Sequence, residues 1–210
     1  MDKKVEILSK YIPVAAAPLI AKWIDFHRCD FKISKSRNSK FGDYRPPQRG
    51  HGHKISVNYN LNVYAFLVTT VHEFAHLVTW KEFKHTAKPH GTEWKLNFKK
   101  MMQPFFELEV FPSEVKTAIE NYLENPAASS CSDVNLFKAL KAFDLKPPGS
   151  FTVEQLIENQ IFCLKNGRTF KKLNRIRKRH RCVEVKTGLI YLFSPIAEVF
   201  LVDAEKKIEN

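Results

Sequence analysis

Between Val63 and Leu77 the chain runs without a glycine or proline, and inside that apolar run it carries two histidines and a glutamate. Val63-Tyr64-Ala65-Phe66-Leu67-Val68-Thr69-Thr70 leads unbroken into Val71-His72-Glu73-Phe74-Ala75-His76-Leu77. A stretch of that length and hydrophobicity reads as a helix carrying its polar residues into a core. On such a helix His72 and His76 project from the same face, one turn apart. Two imidazoles so placed can both reach one zinc ion, at about 2.0–2.1 Å each. Glu73, beside the first histidine, can hold and deprotonate a water on that metal, the chemistry that hydrolyses a peptide bond. If His72 and His76 were only core residues, an ionisable Glu73 would be buried to no purpose, at a cost in free energy.

Catalytic zinc takes three protein ligands and keeps a further position open for water. His90, in His90-Gly91-Thr92-Glu93-Trp94, is the choice for the third. It precedes a glycine, which lets the backbone turn tightly, and Thr92 could cap the helix that follows. His85, in a loop with Lys81, Lys84 and Lys88, and Glu93 are the alternatives.

Two earlier stretches complete a pattern. Lys35-Ser36-Arg37-Asn38-Ser39-Lys40-Phe41-Gly42-Asp43-Tyr44 reads as a basic strand with a glycine-containing turn, and Ile55-Ser56-Val57-Asn58 as the strand before the helix. Together with His72-Glu73-Phe74-Ala75-His76 and His90-Gly91-Thr92-Glu93-Trp94, they resemble the SprT-like zinc metallopeptidases, which include the Spartan-type DNA–protein crosslink proteases. The resemblance spans roughly the first half of the chain. It implies His72, His76 and His90 as ligands of one catalytic Zn2+ and Glu73 as the catalytic general base. The fold it implies is α+β: a helical zincin-like domain with a small antiparallel sheet beside the active-site helix, plus a small C-terminal β module. A metzincin pattern is absent, since Thr79 stands where that pattern needs glycine and Glu82 follows where it needs its last ligand. Many members of the resembled family end in a zinc ribbon built from two cysteine pairs. Here Phe162-Cys163-Leu164 and Arg181-Cys182-Val183 carry one cysteine each. Two thiols fall short of the four ligands that close a structural zinc site, so the tail reads as a ribbon-like module without metal.

Residues 1–145 are therefore expected to form the metallopeptidase domain and 151–204 the basic β module. Within the first, residues 3–27 read as helix interrupted by Pro13, with strands near 30–34, 41–45 and 54–59 separated by turns at Gly42 and Gly50-His51-Gly52. His51 and His53 fall in that glycine-rich turn and are expected to be solvent-exposed. Helices follow near 61–80, 92–102 and 113–124, the last announced by Pro112-Ser113. Asn125 to Ser132 reads as a linker, 133–143 as a short helix, and Lys146-Pro147-Pro148-Gly149-Ser150 as a break. Beyond it, after one or two helical turns at 152–159, strands are expected at 160–165, 169–173, 177–186 and 189–194, with hairpin turns at Asn166-Gly167 and Thr187-Gly188. Phe98, Phe105, Phe106 and Phe111 read as packing against the active-site helix.

The net charge is +12. Nine Lys or Arg and no acid lie between Lys165 and Arg181. Within that stretch Lys171, Lys172, Arg175, Arg177, Lys178, Arg179 and Arg181 are candidate nucleic-acid contacts, since such fields attract phosphate backbones without reading sequence. A second basic concentration comprises Lys32, Lys35, Arg37, Lys40, Arg45 and Arg49. No apolar run approaches the roughly 20 residues of a membrane span. The four cysteines, Cys29, Cys131, Cys163 and Cys182, form no secreted-type framework, so a reduced, cytoplasmic protein is expected. The expected partners are protein substrates and DNA. Two other readings stay open: a nucleic-acid-binding module with a structural or vestigial zinc site, and a general cytosolic peptidase whose charge is incidental.

Overall fold

The computed structural model describes residues 2–37, 40–48, 50–127, 133–144 and 149–202. The chain forms two compact units, Met1–Asp144 and Leu145–Asn210. Asn38 and Ser39 of the basic stretch, Arg49, Cys131 with most of the Asn125–Ser132 linker, and Lys146-Pro147-Pro148 lie outside the described residues.

The first unit opens with helices α1 (Lys3–Leu8) and α2 (Ala17–Phe26), joined across Pro13 by a single 3-10 turn. Three short strands follow: β1 (Asp30–Ser34), β2 (Gly42–Arg45) and β3 (Lys54–Asn58). Their order in the sheet is β1-β3-β2. The β2–β3 pair is antiparallel, whereas β1 and β3 run parallel, with Asp30 opposite Lys54 and Ser34 opposite Asn58. The strand β2, left at an edge, begins at Gly42, so this glycine belongs to a strand and not to the expected turn.

Helix α3 (Val63–Phe83) is the centre of this unit. The Asn62 carboxamide oxygen caps it, accepting from Tyr64 N at 3.1 Å and Ala65 N at 3.0 Å. The Asn62 amide nitrogen donates to Leu140 O at 2.8 Å and to Asp144 Oδ1 at 2.6 Å, which ties the same residue to α6 (Val134–Lys141). Phe66, Leu67, Val71, Phe74, Ala75 and Leu77 are wholly buried. A helix apolar on most of its circumference must be surrounded, and α3 is, by α2, the sheet and α4 (Thr92–Glu107). Phe98 and Phe105 of α4 are wholly buried, and Phe111 nearly so, before α5 (Ser113–Glu124).

The second unit is a six-stranded antiparallel sheet in the order β4-β9-β5-β6-β7-β8. Its strands are β4 (Ser150–Thr152), β5 (Ile161–Cys163), β6 (Thr169–Ile176), β7 (Arg179–Glu184), β8 (Ile190–Phe193) and β9 (Glu198–Leu201). Val153, Leu156, Phe162, Phe170, Cys182 and Val199 form its core. Gly167 and Gly188 adopt positive φ in the two turns where glycine was expected. The β6–β7 hairpin turns without one. Ile176 pairs with Arg179, and Arg177 takes the left-handed conformation at the tip, outside the strand expected to begin with it. Among the described residues no helix is long and apolar enough to cross a membrane.

Candidate active site

The register of α3 places His72 and His76 on one face of the helix, and the loop after it returns His90 to them. His76 Nε2 lies 3.2 Å from His72 Nε2 and 3.0 Å from His90 Nε2, and the His90–His72 separation is 3.2 Å. The three nitrogens thus form a nearly equilateral triangle. Neutral imidazoles cannot satisfy one another in that arrangement, because one proton cannot point at two neighbours with good geometry. A cation at the apex serves all three. Tetrahedral bonds of about 2.0–2.1 Å separate ligand nitrogens by about 3.3–3.4 Å, close to the distances here. These histidines could hold a metal ion, and they are the one such group of His, Cys, Asp or Glu among the described residues.

Electrostatics favours the same use. Burial drives the imidazole of His72 well below its ordinary value, with His76 and His90 adding to the effect. His76 is lowered to about 3, again chiefly by burial, and His90 is lowered for the same reason. All three are therefore neutral at pH 7, with lone pairs free for a metal. His85 is exposed and stands outside the cluster, as does Glu93.

The loop is shaped to deliver His90. His90 itself takes φ 58°, the left-handed turn that was expected of its neighbour. Gly91 instead supplies clearance, since a Cβ there would come within 3.0 Å of Lys88 O. Gly91 is also the N-cap of α4, and Thr92 is the first helical residue rather than a cap. Trp94, one turn into α4 and wholly buried, lies under the triad. Its ring centroid is 4.6, 5.2 and 4.7 Å from those of His72, His76 and His90. On the other side the Tyr44 ring is stacked on His76 at 6.4 Å.

Glu73 is 6% exposed and turns toward β2. The Tyr44 backbone N–H donates to its carboxylate, which holds the value down, but burial and the nearby Asp43 charge outweigh this and raise it to about 8. The cleft in front of these groups has a volume of about 520 Å³. Gly42, Asp43 and Tyr44 of β2 form one wall, and Trp80, Lys84 and Lys88 part of the other. The Lys84 ammonium lies over the Trp80 ring at 4.2 Å.

Residues 19–116 match the model of the SprT-like family, a segment that contains all of these groups. Over those residues, somewhat under half of its length, the chain is similar to the SprT-like family. No curated protein and no solved structure matches the chain significantly. That match is consistent with a metallopeptidase-like domain, and the histidine cluster within the matched segment could bind a metal ion.

Several expected residues have other work. His53 is 8% exposed, not a solvated turn residue: Tyr44 Oη lies 2.9 Å from its Nδ1, and Trp80 packs edge-on against its ring. Arg37 is taken up by Asn58 Oδ1 at 2.8 Å and by Ser56, and Lys40 and Arg45 both bind Asp43. In the second unit, Lys172 must be removed from the candidate nucleic-acid contacts. It is 5% exposed because β6 turns it inward with Phe170, and its ammonium donates to the Leu156 and Glu154 carbonyls. Arg175, Arg177, Lys178 and Arg179 are exposed at the β6–β7 tip, and Lys171 and Arg181 are half-buried. Cys182 is wholly buried, its thiol pushed up to about 11 by that burial, while Cys163 is half-buried.

The residue that sequence reasoning passed over is Asn58. Only 1% exposed, it donates through Nδ2 to Lys40 O at 2.9 Å and Arg37 O at 3.2 Å, while its Oδ1 accepts from Arg37 Nε. It thereby ties the segment before β2 to the end of β3. An asparagine ending an apolar strand was the available signal.

Proposed function

We propose that this chain is a zinc-dependent metalloendopeptidase. The observation that carries the reading is the convergence of His72, His76 and His90 on one point, with Glu73 lining the same cleft. Zinc held by the three imidazoles would supply a Lewis acid for the scissile carbonyl and an acidified water, with a pKa near 7. Glu73 takes the proton of the attacking water on a carboxylate oxygen and passes it to the departing amine nitrogen. Its raised pKa suits the second transfer, and a cation held by the three imidazoles would favour the ionised form needed for the first. Trp94 beneath the imidazoles keeps their nitrogens aimed at one point.

The substrates we propose are proteins bound or crosslinked to DNA, with the chain working inside the cell in DNA–protein crosslink repair. The Spartan-like pattern of the N-terminal half and the exposed basic tip of β6–β7 support this. Arg175, Arg177, Lys178 and Arg179, with Lys171 and Arg181 beside them, would contact phosphates without reading bases. The test is Glu73→Gln, which preserves shape and removes the base. It should retain zinc and lose hydrolysis of a DNA-bound protein by about 10²–10⁴-fold, measured as turnover of the zinc-loaded enzyme. Cleavage at the wild-type rate would refute the assignment.

A further inference from the structure

We propose that Gly42 is a positioning residue for Glu73: bare backbone at the start of β2 is the seat of the glutamate carboxylate, and any side chain there would displace it. This rests on Glu73 being the general base. A Cβ at position 42 would lie 2.4 Å from Glu73 Oε1, 2.7 Å from Cγ and 2.8 Å from Cδ. Carbon atoms in favourable contact stand about 3.5–4.0 Å apart, so the two groups cannot share that space. Neither backbone is free to retreat. Gly42 is paired with Val57 of β3, and the segment ahead of it is tied down by Asn58, whose backbone N–H also donates to Phe41 O at 2.9 Å. Glu73 stands on α3 next to Phe74 and Ala75, both wholly buried. The glutamate side chain is the movable part, and it is the part that would be expelled.

The strand contributes twice, at alternate positions. Backbone groups two residues apart on a strand face the same edge. At Tyr44 that edge offers the glutamate an N–H, and at Gly42 it offers room. The φ of Gly42 lies outside the left-handed region, so a substituent there is penalised by contact alone and not by backbone strain. The position of the base is thus set by the edge strand as well as by the helix that bears it.

Two measurements test this, with Gly52→Ala as the comparison because a Cβ at 52 meets nothing closer than Arg28 O at 3.8 Å. The first uses metal-free protein and needs no activity: melting temperatures of wild type, Gly42→Ala, Glu73→Ala and the double variant. Gly42→Ala should lower the melting temperature by about 2–8 °C with Glu73 present and leave it unchanged in the Glu73→Ala background. Equal losses in both backgrounds would overturn the proposal. The second uses zinc-loaded protein with labelled casein as substrate. Gly42→Ala should keep its zinc and its KM while kcat falls about 10–100-fold, and Gly52→Ala should match wild type in all three. An unchanged kcat, or a loss of zinc parallel to the loss of rate, would also overturn it. Failure of wild type itself to hydrolyse casein or DNA-bound protein counts against the peptidase reading, and the melting-temperature cycle still decides whether Gly42 seats the carboxylate.

Discussion

At the level of single side chains, three imidazoles hold one arrangement because of what packs against them. Trp94 touches all three rings and is itself wholly buried. Removing a large buried aromatic leaves a cavity that surrounding groups fill only in part. Trp94→Ala should therefore destabilise the first unit by about 3–5 kcal/mol in chemical denaturation, and weaken metal binding because the rings gain freedom. Full stability with unchanged metal affinity would show that the rings are held from elsewhere. At this scale the sequence was readable wherever spacing alone decides geometry. Residues four apart on a helix share a face in any context, so the pairing of His72 with His76 needed no tertiary knowledge. His53, Lys172 and Gly42 were misread for the converse reason. Their surroundings are made by other parts of the chain: Trp80 of α3 covers His53, the Glu154 and Leu156 carbonyls take up the Lys172 ammonium, and Glu73 fills the space above Gly42.

Among the elements, the edge strand β2 matters to the site beyond its length of four residues. It contributes a cleft wall, an N–H for Glu73 and the clearance at Gly42. Its placement depends on Asn58, whose buried amide nitrogen serves two carbonyls of the segment leading into it. Asn58→Ala strands those carbonyls and takes the acceptor from Arg37 Nε, leaving the guanidinium only Ser56. Each buried polar group left without a partner costs about 1–3 kcal/mol, less where water can enter. The expected loss is about 2–4 kcal/mol of unfolding free energy, accompanied by faster amide exchange at Asp43 and Tyr44. A loss below about 0.5 kcal/mol with unchanged exchange would show that the segment is held by other interactions. Helix α3 was legible because its apolar run is long and unbroken, and α5 because Pro112-Ser113 announces it. The parallel pairing of β1 with β3 was not, since strand direction depends on where the chain crosses and not on the strand's own residues. β4 and β9 went unread because they pair with each other across nearly the whole unit, so no hairpin turn marks either as Asn166-Gly167 and Thr187-Gly188 mark β5 and β8.

For the molecule as a whole, the excess of positive charge is divided unevenly between what the fold consumes and what it leaves to solvent. Near the cleft, Arg37, Lys40 and Arg45 are engaged by Asn58, Ser56 and Asp43. At the β6–β7 tip the cationic groups stay exposed. Reversing the charge at Arg175, Arg177, Lys178 and Arg179 should weaken DNA affinity. It should also flatten its dependence on salt, by about 0.9 in the log–log slope for each phosphate that is no longer neutralised. Unchanged affinity and slope would remove the tip from the interface and favour a peptidase whose charge is incidental. The hairpin tip itself was invisible in the sequence because Arg177 makes the turn where a glycine would have marked it.

All of this depends on the three histidines acting as one metal site. The direct measurement is the metal content of the purified protein, wild type beside His90→Ala, by elemental analysis and zinc titration. The account predicts about one zinc per chain in the wild type, lost or bound far more weakly once the third imidazole is gone. No zinc in the wild type, or zinc held equally well without His90, would contradict it.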